Sequence, residues 1–471
     1  MLRRKTLVLF LAVIGAAGLF VACGSKTDPR LEGGFRQEPR NGWTFVHLEG
    51  TPEEVGFQHG YLLAAEILDV QKVNALEFKH DYDRDWEFFR TAAREMMWPN
   101  IEEEYRQELQ GIADGVRAKG IVLDLWDIVA LNGVTEWSYY LKFLEKKTPP
   151  ESRTGKPVPP VPGHCSAFVA TGRYTPDGRP VVAHNIWTTY LDGQRFTIIF
   201  DIVPARGHRI LMDGYPGFIS SGDDFGLNAA GLMITETTID GFEGYDPAGI
   251  PEFVRARKAM QYAASIDDFA RIMKQGNNGG YANDWLVADT KTNEIARLEL
   301  GLKNVTLERT KDGYYSGANF PVDPKLIREE TTFDPNDAAN SANARKLRWE
   351  QLLEGNKGRI DATLARGFLA DHYDTFEKKD QPNERTLCGH LEYSPRGWDP
   401  WEAYGPYGAG QNKVADAALA ERMTFWAAAG HACGLDFKAG EHLKAHPEFA
   451  WQKEFLRDMP ARPWTLVTAS K

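Results

Sequence analysis

The chain has 471 residues, of which 42% are hydrophobic and 26% are charged, so it can bury a large core in one big domain or two ordinary ones. Its 55 basic and 66 acidic side chains give a formal net charge of -11, which leaves no excess of cations for nucleic-acid phosphates. The four cysteines are too few for a disulfide scaffold and form no paired Cys-x-x-Cys motifs, which excludes a zinc finger and a redox dithiol.

The first 22 residues are typical of a signal peptide, with a basic start, an apolar stretch over residues 6–22 and small residues before Cys23. Phe20-Val21-Ala22-Cys23 resembles a bacterial lipobox, in which the cysteine is lipidated and becomes the mature N-terminus. An ordinary cleaved signal and an uncleaved anchor are the alternatives. We therefore expect an exported lipoprotein, periplasmic or at the cell surface, that is anchored through Cys23. Because Gly rather than Asp stands at position 24, the anchor is expected in the outer membrane.

Residues 23–145 are predicted to form a helical segment that is almost purely α. Thr51-Pro52-Glu53-Glu54 supplies a helix cap, a proline at the first helical position and two acids in the first turn. Further along, Leu109, Ile112 and Val116 recur at steps of three and four residues. Gly111, Gly115 and Gly120 are interpreted as positions where helices approach closely or end.

Residues 146–164 are predicted to be an exposed linker, because their many prolines fix φ and remove backbone donors. The linker ends at His164, directly before Cys165. Beyond it, the apolar runs 165–170 and 181–185 flank the turn signal Thr175-Pro176-Asp177-Gly178, which predicts a β-hairpin.

The remainder, residues 165–471, is predicted to mix strands and helices. Strands are expected at 196–203, 209–212, 232–238, 285–288 and 295–300, and helices at 251–264, 341–353 and 360–372. From about residue 380 the chain is rich in Trp, Pro and Gly and is expected to wrap the core irregularly. The fold class is therefore α+β.

Cys165 is the most informative residue for chemistry, since the chain has no Gly-x-Ser-x-Gly elbow, zinc-protease helix or Walker loop. A thiol at the end of a scissile linker can attack the carbonyl of His164 and shift the acyl group from nitrogen to sulfur. Hydrolysis then leaves Cys165 as a new N-terminus. Its free α-amine titrates near pH 8 and can take the thiol proton, so the residue carries its own base.

Several motifs downstream of the linker carry a family resemblance. They are Cys165-Ser-Ala-Phe-Val, the segment 183–190, the segments 215–225 and 231–238, Asn283-Asp-Trp-Leu-Val-Ala-Asp and Cys388-Gly-His-Leu-Glu. Together they resemble the N-terminal nucleophile (Ntn) hydrolases, and among them the phospholipase B-like proteins and the isopenicillin-N acyltransferase-like enzymes. The resemblance implies a four-layer αββα sandwich that hydrolyses acyl-amide or acyl-ester bonds without a metal or organic cofactor.

The resemblance also implies roles for single residues. Cys165 is the nucleophile, His184 its polar partner on the second hairpin strand, and Asn283 the amide that helps to hold the oxyanion. In the acyltransferase-like branch an acid lies near the His184 position, for which Asp192 or Asp201 would serve. Further supporting residues are Trp187, Asp223, Asp224, Asn319 and Arg345. The Asp223–Asp224 pair is more typical of backbone support than of acid/base work.

Cys388-x-His390 and His431-x-Cys433 leave three alternatives open: a disulfide between the two cysteines, free buried thiols, or two sulfurs and two imidazoles around zinc. The disulfide is favoured in an exported protein, and no metal is expected.

Three functions stay open as well. The first is a hydrolase of an acyl-amide or acyl-ester, such as a phospholipid, an N-acyl amino acid or a peptide. The second is acyl transfer to an amine through the same thioester, and the third is a non-catalytic envelope lipoprotein that uses the fold for binding.

Overall fold

The computed structural model describes residues 28–149, 158, 165–222, 225–398 and 402–471. The predicted signal peptide with Cys23, the linker end with His164, and the Asp223–Asp224 pair lie outside the described residues. The described helices are α1 (Pro52–Leu62), α2 (Ala64–Tyr82), α3 (Trp86–Ala92), α4 (Glu103–Ala118), α5 (Leu125–Asn132), α6 (Trp137–Lys147), α7 (Tyr190–Gly193), α8 (Glu252–Tyr262), α9 (Ile266–Lys274), α10 (Pro324–Glu330), α11 (Ser341–Gly355), α12 (Ala362–Phe368), α13 (Ala417–Ala420) and α14 (Ala439–Ala445). None of these helices combines the length and the apolar character needed to cross a bilayer.

Two large sheets organise the chain, which confirms the α+β class. The described strands are β1 (Phe35–Arg36), β2 (Thr44–Gly50), β3 (Cys165–Gly172), β4 (Gly178–Thr189), β5 (Ile198–Pro204), β6 (Ile210–Gly214), β7 (Gly226–Asn228), β8 (Leu232–Thr238), β9 (Asn283–Asp289), β10 (Glu294–Leu300), β11 (Val305–Thr310), β12 (Gly313–Gly317), β13 (Tyr373–Asp374), β14 (Lys379–Asp380), β15 (Tyr407–Asp416), β16 (Thr424–Ala429) and β17 (Thr465–Thr468). The first sheet has the order β1-β2-β5-β6-β7-β8-β9-β10-β11 and the second β12-β3-β4-β15-β16-β17.

Successive side chains along each strand point to opposite faces of the sheet, so each sheet has an inner and an outer face. Leu211 of the first sheet packs with Ala167 of the second in one cluster between the sheets. Its neighbour Met212 faces the helices of the N-terminal segment together with α8 and α9. Phe168 faces the other way from Ala167 and packs against Trp349 of α11 and residues of α12. Helices therefore cover the outer face of each sheet.

The predicted hairpin is confirmed and sets the position of the first residue after the linker. Strands β3 and β4 pair antiparallel, with Cys165 opposite Ile186 and Ala167 opposite His184. Gly178, which starts β4, has a φ of +74°, a conformation that favours glycine. The turn thus returns the chain so that His184 lies alongside the nucleophile candidate.

The close approach predicted for the glycines of α4 is confirmed. The chain packs Gly56 and Gly60 of α1 against Gly111 and Gly115 of α4. A Cβ on Gly60 would lie 2.0 Å from the carbonyl oxygen of Ile112, so only hydrogen fits between these helix backbones.

Two regions differ from expectation. The N-terminal segment is not almost purely α, because β2 enters the first sheet and pairs in parallel with β5 from beyond the linker. The C-terminal part is not only an irregular wrap, because β15, β16 and β17 complete the second sheet. Strand β15 is buried along all but its last residue and so lacks the alternating pattern that reveals a strand, and the three central residues of β2, Val46, His47 and Leu48, are likewise all buried.

Candidate active site

The start of β3 gathers three groups that can carry chemistry. Cys165 is fully buried, and its Sγ donates to Oε1 of Glu236 over 3.8 Å. One ligand-type atom from each of Cys165, His184 and Glu236 lies within 4.8 Å of the others. His184 comes from β4, which pairs with the strand of Cys165, and Glu236 comes from β8 of the facing sheet. Both sheets therefore contribute to the site.

Asn319 and Arg345 fix the backbone of Cys165. The backbone N–H of Cys165 donates to Oδ1 of Asn319 at 3.4 Å, and Asn319 Nδ2 donates to the carbonyl of Thr238 at 2.9 Å. Arg345 donates through Nη1 to the carbonyl of Cys165 at 2.7 Å and through Nη2 to Asn319 Oδ1 at 2.9 Å. The structure thus brings both supporting residues into direct contact with Cys165 or its backbone.

Arg345 is a buried cation held mainly by neutral groups. Its guanidinium lies 4.1 Å from the ring centre of Trp187, and its Nε donates to Ser341 Oγ at 3.0 Å. Burial lowers the pKa of Arg345 to about 9. Arg345 therefore places a buried positive charge directly against the backbone of Cys165.

Asn283 stands at the first position of β9, opposite Thr238 of β8. Its side chain is fully buried, and neither its Oδ1 nor its Nδ2 has a hydrogen-bond partner among the described residues. Because Thr238 also accepts from Asn319, Asn283 belongs to the strand pair that supports the Cys165 backbone. Its amide is available to donate to an oxygen of a bound molecule.

The acid beside Cys165 is neither of the two suggested by the sequence. Asp201 accepts from His47 and Arg209, and Asp192 accepts from the Tyr215 hydroxyl, so both have partners away from Cys165. Glu236 takes that place instead. The signal for it is a charged residue inside the buried strand Leu-Met-Ile-Thr-Glu-Thr-Thr, since an acid is buried only where it has a partner or a task.

A cavity of about 450 Å³ lies beside the side chains that surround Arg345. Ser341, which accepts from Arg345, and Trp398, whose ring centre lies 5.1 Å from the Arg345 guanidinium, are both part of its wall. The rest of the lining is rich in charged groups, including Asp240, Glu384 and Arg396. The cavity is therefore suited to a polar molecule, or to a polar head group, next to Arg345.

Cys388 and Cys433 do not form the disulfide that the sequence favoured; both are thiols in the structure. Their sulfurs lie 3.4 Å and 3.5 Å from the same atom, Nε2 of His390. The two thiols therefore face an imidazole rather than a covalent partner. This cluster is separate from the group around Cys165.

Comparisons with known proteins give a consistent family signal. The family model described as Phospholipase B matches residues 74–327, more than half of the chain. An uncharacterized protein of Archaeoglobus fulgidus is 28% identical over 295 residues, 61% of this chain and 48% of that protein. Putative phospholipase B-like 1 of Caenorhabditis elegans is 25% identical over 370 residues, 66% and 63% of the two chains.

A third relative matches over a shorter region. Putative phospholipase B-like 2 of Mus musculus is 32% identical over 146 residues, 27% of this chain and 24% of that protein. The chain thus covers less than two thirds of the length of each of these relatives.

Proposed function

Because the chain belongs to the phospholipase B family, we propose that it is a hydrolase of acyl-amide or acyl-ester bonds that uses Cys165 as its nucleophile. One observation carries the proposal: Cys165 directly follows the linker and lies among His184, Glu236, Asn319 and Arg345. Two sheets that pack face to face between layers of helices support an assignment to the Ntn αββα sandwich.

Maturation is proposed to begin with a cut between His164 and Cys165. The Cys165 sulfur attacks the His164 carbonyl and its thiol proton passes to the peptide nitrogen. The C–N bond then breaks, so that the acyl group is held on sulfur as a thioester and the nitrogen becomes the α-amine. Water then hydrolyses the thioester, which leaves His164 with a carboxylate. This yields an N-terminal helical chain of about 15 kDa and a C-terminal chain of about 34 kDa that stay in one fold.

In the catalytic cycle the α-amine of Cys165 takes the thiol proton, and the thiolate attacks the substrate carbonyl. Asn283 and a backbone N–H hold the oxyanion. The leaving amine or alcohol takes the proton, and water releases the acyl group from sulfur. Asn319 holds the nitrogen of Cys165 in place, and Arg345 holds its carbonyl.

The cavity beside Arg345 supports a substrate with a polar part next to the scissile bond, such as a phospholipid, an N-acyl amino acid or a peptide. Charged groups of both signs line it, which suits an ionised head group or amino acid better than a bare hydrocarbon chain.

Intact mass and N-terminal sequencing of the purified protein test the maturation step. We expect two chains, one beginning Cys-Ser-Ala-Phe, and a single uncut chain for Cys165→Ala. Cys165→Ser is the matched variant, because it keeps a weaker nucleophile and should cut slowly. A wild-type chain that stays uncut would leave the thiol without its amine base and would favour a non-catalytic lipoprotein.

The reaction is tested with phospholipid, N-acyl amino acid and acyl-peptide substrates, by measuring the free acyl group released. Hydroxylamine added to the same assay separates hydrolysis from acyl transfer. We expect free acid as the main product, whereas efficient capture as the hydroxamate, with little free acid, would assign the protein to acyl transfer. Cys165→Ala should be inactive in both assays.

We also propose that the chain is exported and anchored through a lipid on Cys23. Labelling of cells with a radioactive fatty acid should mark the N-terminal chain of the wild type. Cys23→Ala should stay unlabelled and leave the membrane fraction.

A further inference from the structure

Four side chains outside the Cys165 site converge on one point, and we propose that they bind a structural zinc ion. They are His372, Cys388, His390 and Cys433, and their two sulfurs and two imidazole nitrogens all lie within 4.8 Å of one another. Three separate parts of the chain supply them: the segment after α12, the loop between β14 and β15, and the segment after β16.

The distances around His390 match those of zinc ligands. Its Nε2 lies 3.4 Å from Cys388 Sγ and 3.5 Å from Cys433 Sγ. Zinc–sulfur bonds of about 2.3 Å and zinc–nitrogen bonds of about 2.0 Å at tetrahedral angles place sulfur and nitrogen about 3.5 Å apart. The two sulfurs already stand at that separation from Nε2. No pair in the cluster has to close by more than about 1.5 Å.

The groups behind His390 prepare it to bind a metal. Its Nδ1 lies 2.9 Å from Oε1 of Glu392, and the other oxygen of that carboxylate accepts from the Tyr190 hydroxyl at 2.6 Å. A proton on Nδ1 that is donated to Glu392 leaves the lone pair on Nε2, which points to the two sulfurs. Histidines that bind zinc typically have such a carboxylate or carbonyl partner.

His372 completes the set, in the position that the sequence pattern had suggested for His431. His431 instead places its Nε2 3.8 Å from Glu392. The Nε2 of His372 is buried, and His372 interacts with the side chain of Cys433. A bound metal would satisfy this nitrogen, whereas a disulfide between the cysteines would leave it without a partner.

The four protein ligands leave no open position for water, so the ion would stabilise structure rather than take part in chemistry. The ion would also affect the position of Cys165, through Leu387, the residue before the ligand Cys388. Leu387, beside Cys388, accepts through its carbonyl from Asn185 Nδ2 at 2.8 Å, and Asn185 Oδ1 accepts from the N–H of Ser166 at 3.1 Å. Zinc would thus fasten the loop that supports the start of β3.

Elemental analysis of the purified full chain, prepared without chelator, tests the proposal. We expect one zinc per chain in the wild type and none in Cys388→Ser or Cys433→Ser. Cys165→Ala keeps all four ligands and should retain its zinc even though it is uncut, so the two proposals fail or succeed independently. His446→Gln, which changes a histidine outside the cluster, should also retain zinc.

Cobalt gives a readout that does not depend on whether the serine variants fold. Chelator-treated wild type with added Co²⁺ should show the visible bands of tetrahedral cobalt and a thiolate charge-transfer band, and added Zn²⁺ should abolish both. Removal of the metal should also lower the melting temperature. A protein that takes up neither metal in reducing buffer, or that is purified with Cys388 and Cys433 joined in a disulfide, overturns the proposal.

Discussion

Asn283 is the residue for which function and stability are most clearly separable. Its amide is buried with no hydrogen-bond partner among the described residues, so its removal leaves no group of the protein unsatisfied. We expect Asn283→Ala to lower kcat about a hundredfold, as loss of an oxyanion donor does, with the free energy of unfolding changed by about 1 kcal/mol or less. Steady-state kinetics and urea unfolding of the same preparation measure both.

Asn228 is the matched control in the same sheet. It donates to the carbonyls of Met260 and Ala263 and accepts from the N–H of Leu232. Asn228→Ala should therefore lose about 3 kcal/mol of stability and keep its kcat. If Asn283→Ala behaved in this way instead, Asn283 would be a structural residue.

At this scale the sequence could single out Cys165 but not all of its surroundings. Cys165 follows from its place after the linker, and the hairpin register that brings His184 beside it follows from counting along two strands. Glu236 could not be found in this way, because the contact crosses between two sheets and no local spacing encodes it. For the same reason, the sequence suggested His431 beside Cys388, His390 and Cys433, where the structure has His372.

The pair of helices α1 and α4 yields a prediction at the scale of elements. A methyl group on Gly60 would meet the Ile112 carbonyl at 2.0 Å, so Gly60→Ala has to push the two helices apart. We expect a loss of about 3 kcal/mol in unfolding free energy, measured by chemical denaturation.

Gly367 of α12 provides the control, since a Cβ there meets nothing within 4 Å. Gly367→Ala should raise stability by up to about 1 kcal/mol, because alanine loses less backbone entropy than glycine in a helix. Equal effects of the two substitutions would show that helix propensity, rather than the α1–α4 contact, sets the outcome.

Elements with a local signal were predictable, and those without one were not. Strand β8 has the predicted bounds, and α11 begins at the predicted residue, Ser341. Strand β15 was missed because all but its last residue are buried, so its pattern resembles a general core segment. Its place in the second sheet depends on pairing with β4, more than 200 residues earlier.

The whole molecule should lose stability in acid partly through His59, which joins the helical segment to the loop after β6. Its Nε2 accepts from the N–H of Gly217 at 2.9 Å, and burial followed by the charge of Arg257 lowers the pKa of His59 to about 3. The unfolded chain therefore binds one more proton than the folded chain between pH 6.5 and pH 3. Between these two pH values, the contribution of His59 to the free energy of unfolding falls by about 1.4 kcal/mol for each unit of decrease in pH.

The contribution of His59 is measured by comparing the unfolding free energies of wild type and His59→Gln from pH 7.5 to pH 4.5. The comparison is needed because burial also raises the pKa of Glu136 to about 7, which stabilises the protein as the pH falls. We expect the wild type to lose more stability than His59→Gln towards low pH. Parallel curves would mean that His59 does not titrate on unfolding.

Strand β2 gives the segment before the linker a protective role. It covers β5 along seven residues, from Thr44 opposite Ile198 to Gly50 opposite Pro204. Without it, β5 would become an open edge whose backbone N–H and C=O groups invite pairing with other chains. A version of the protein that began at Cys165 would therefore be prone to aggregate, because β2 is what protects this edge of the sheet from pairing with other chains.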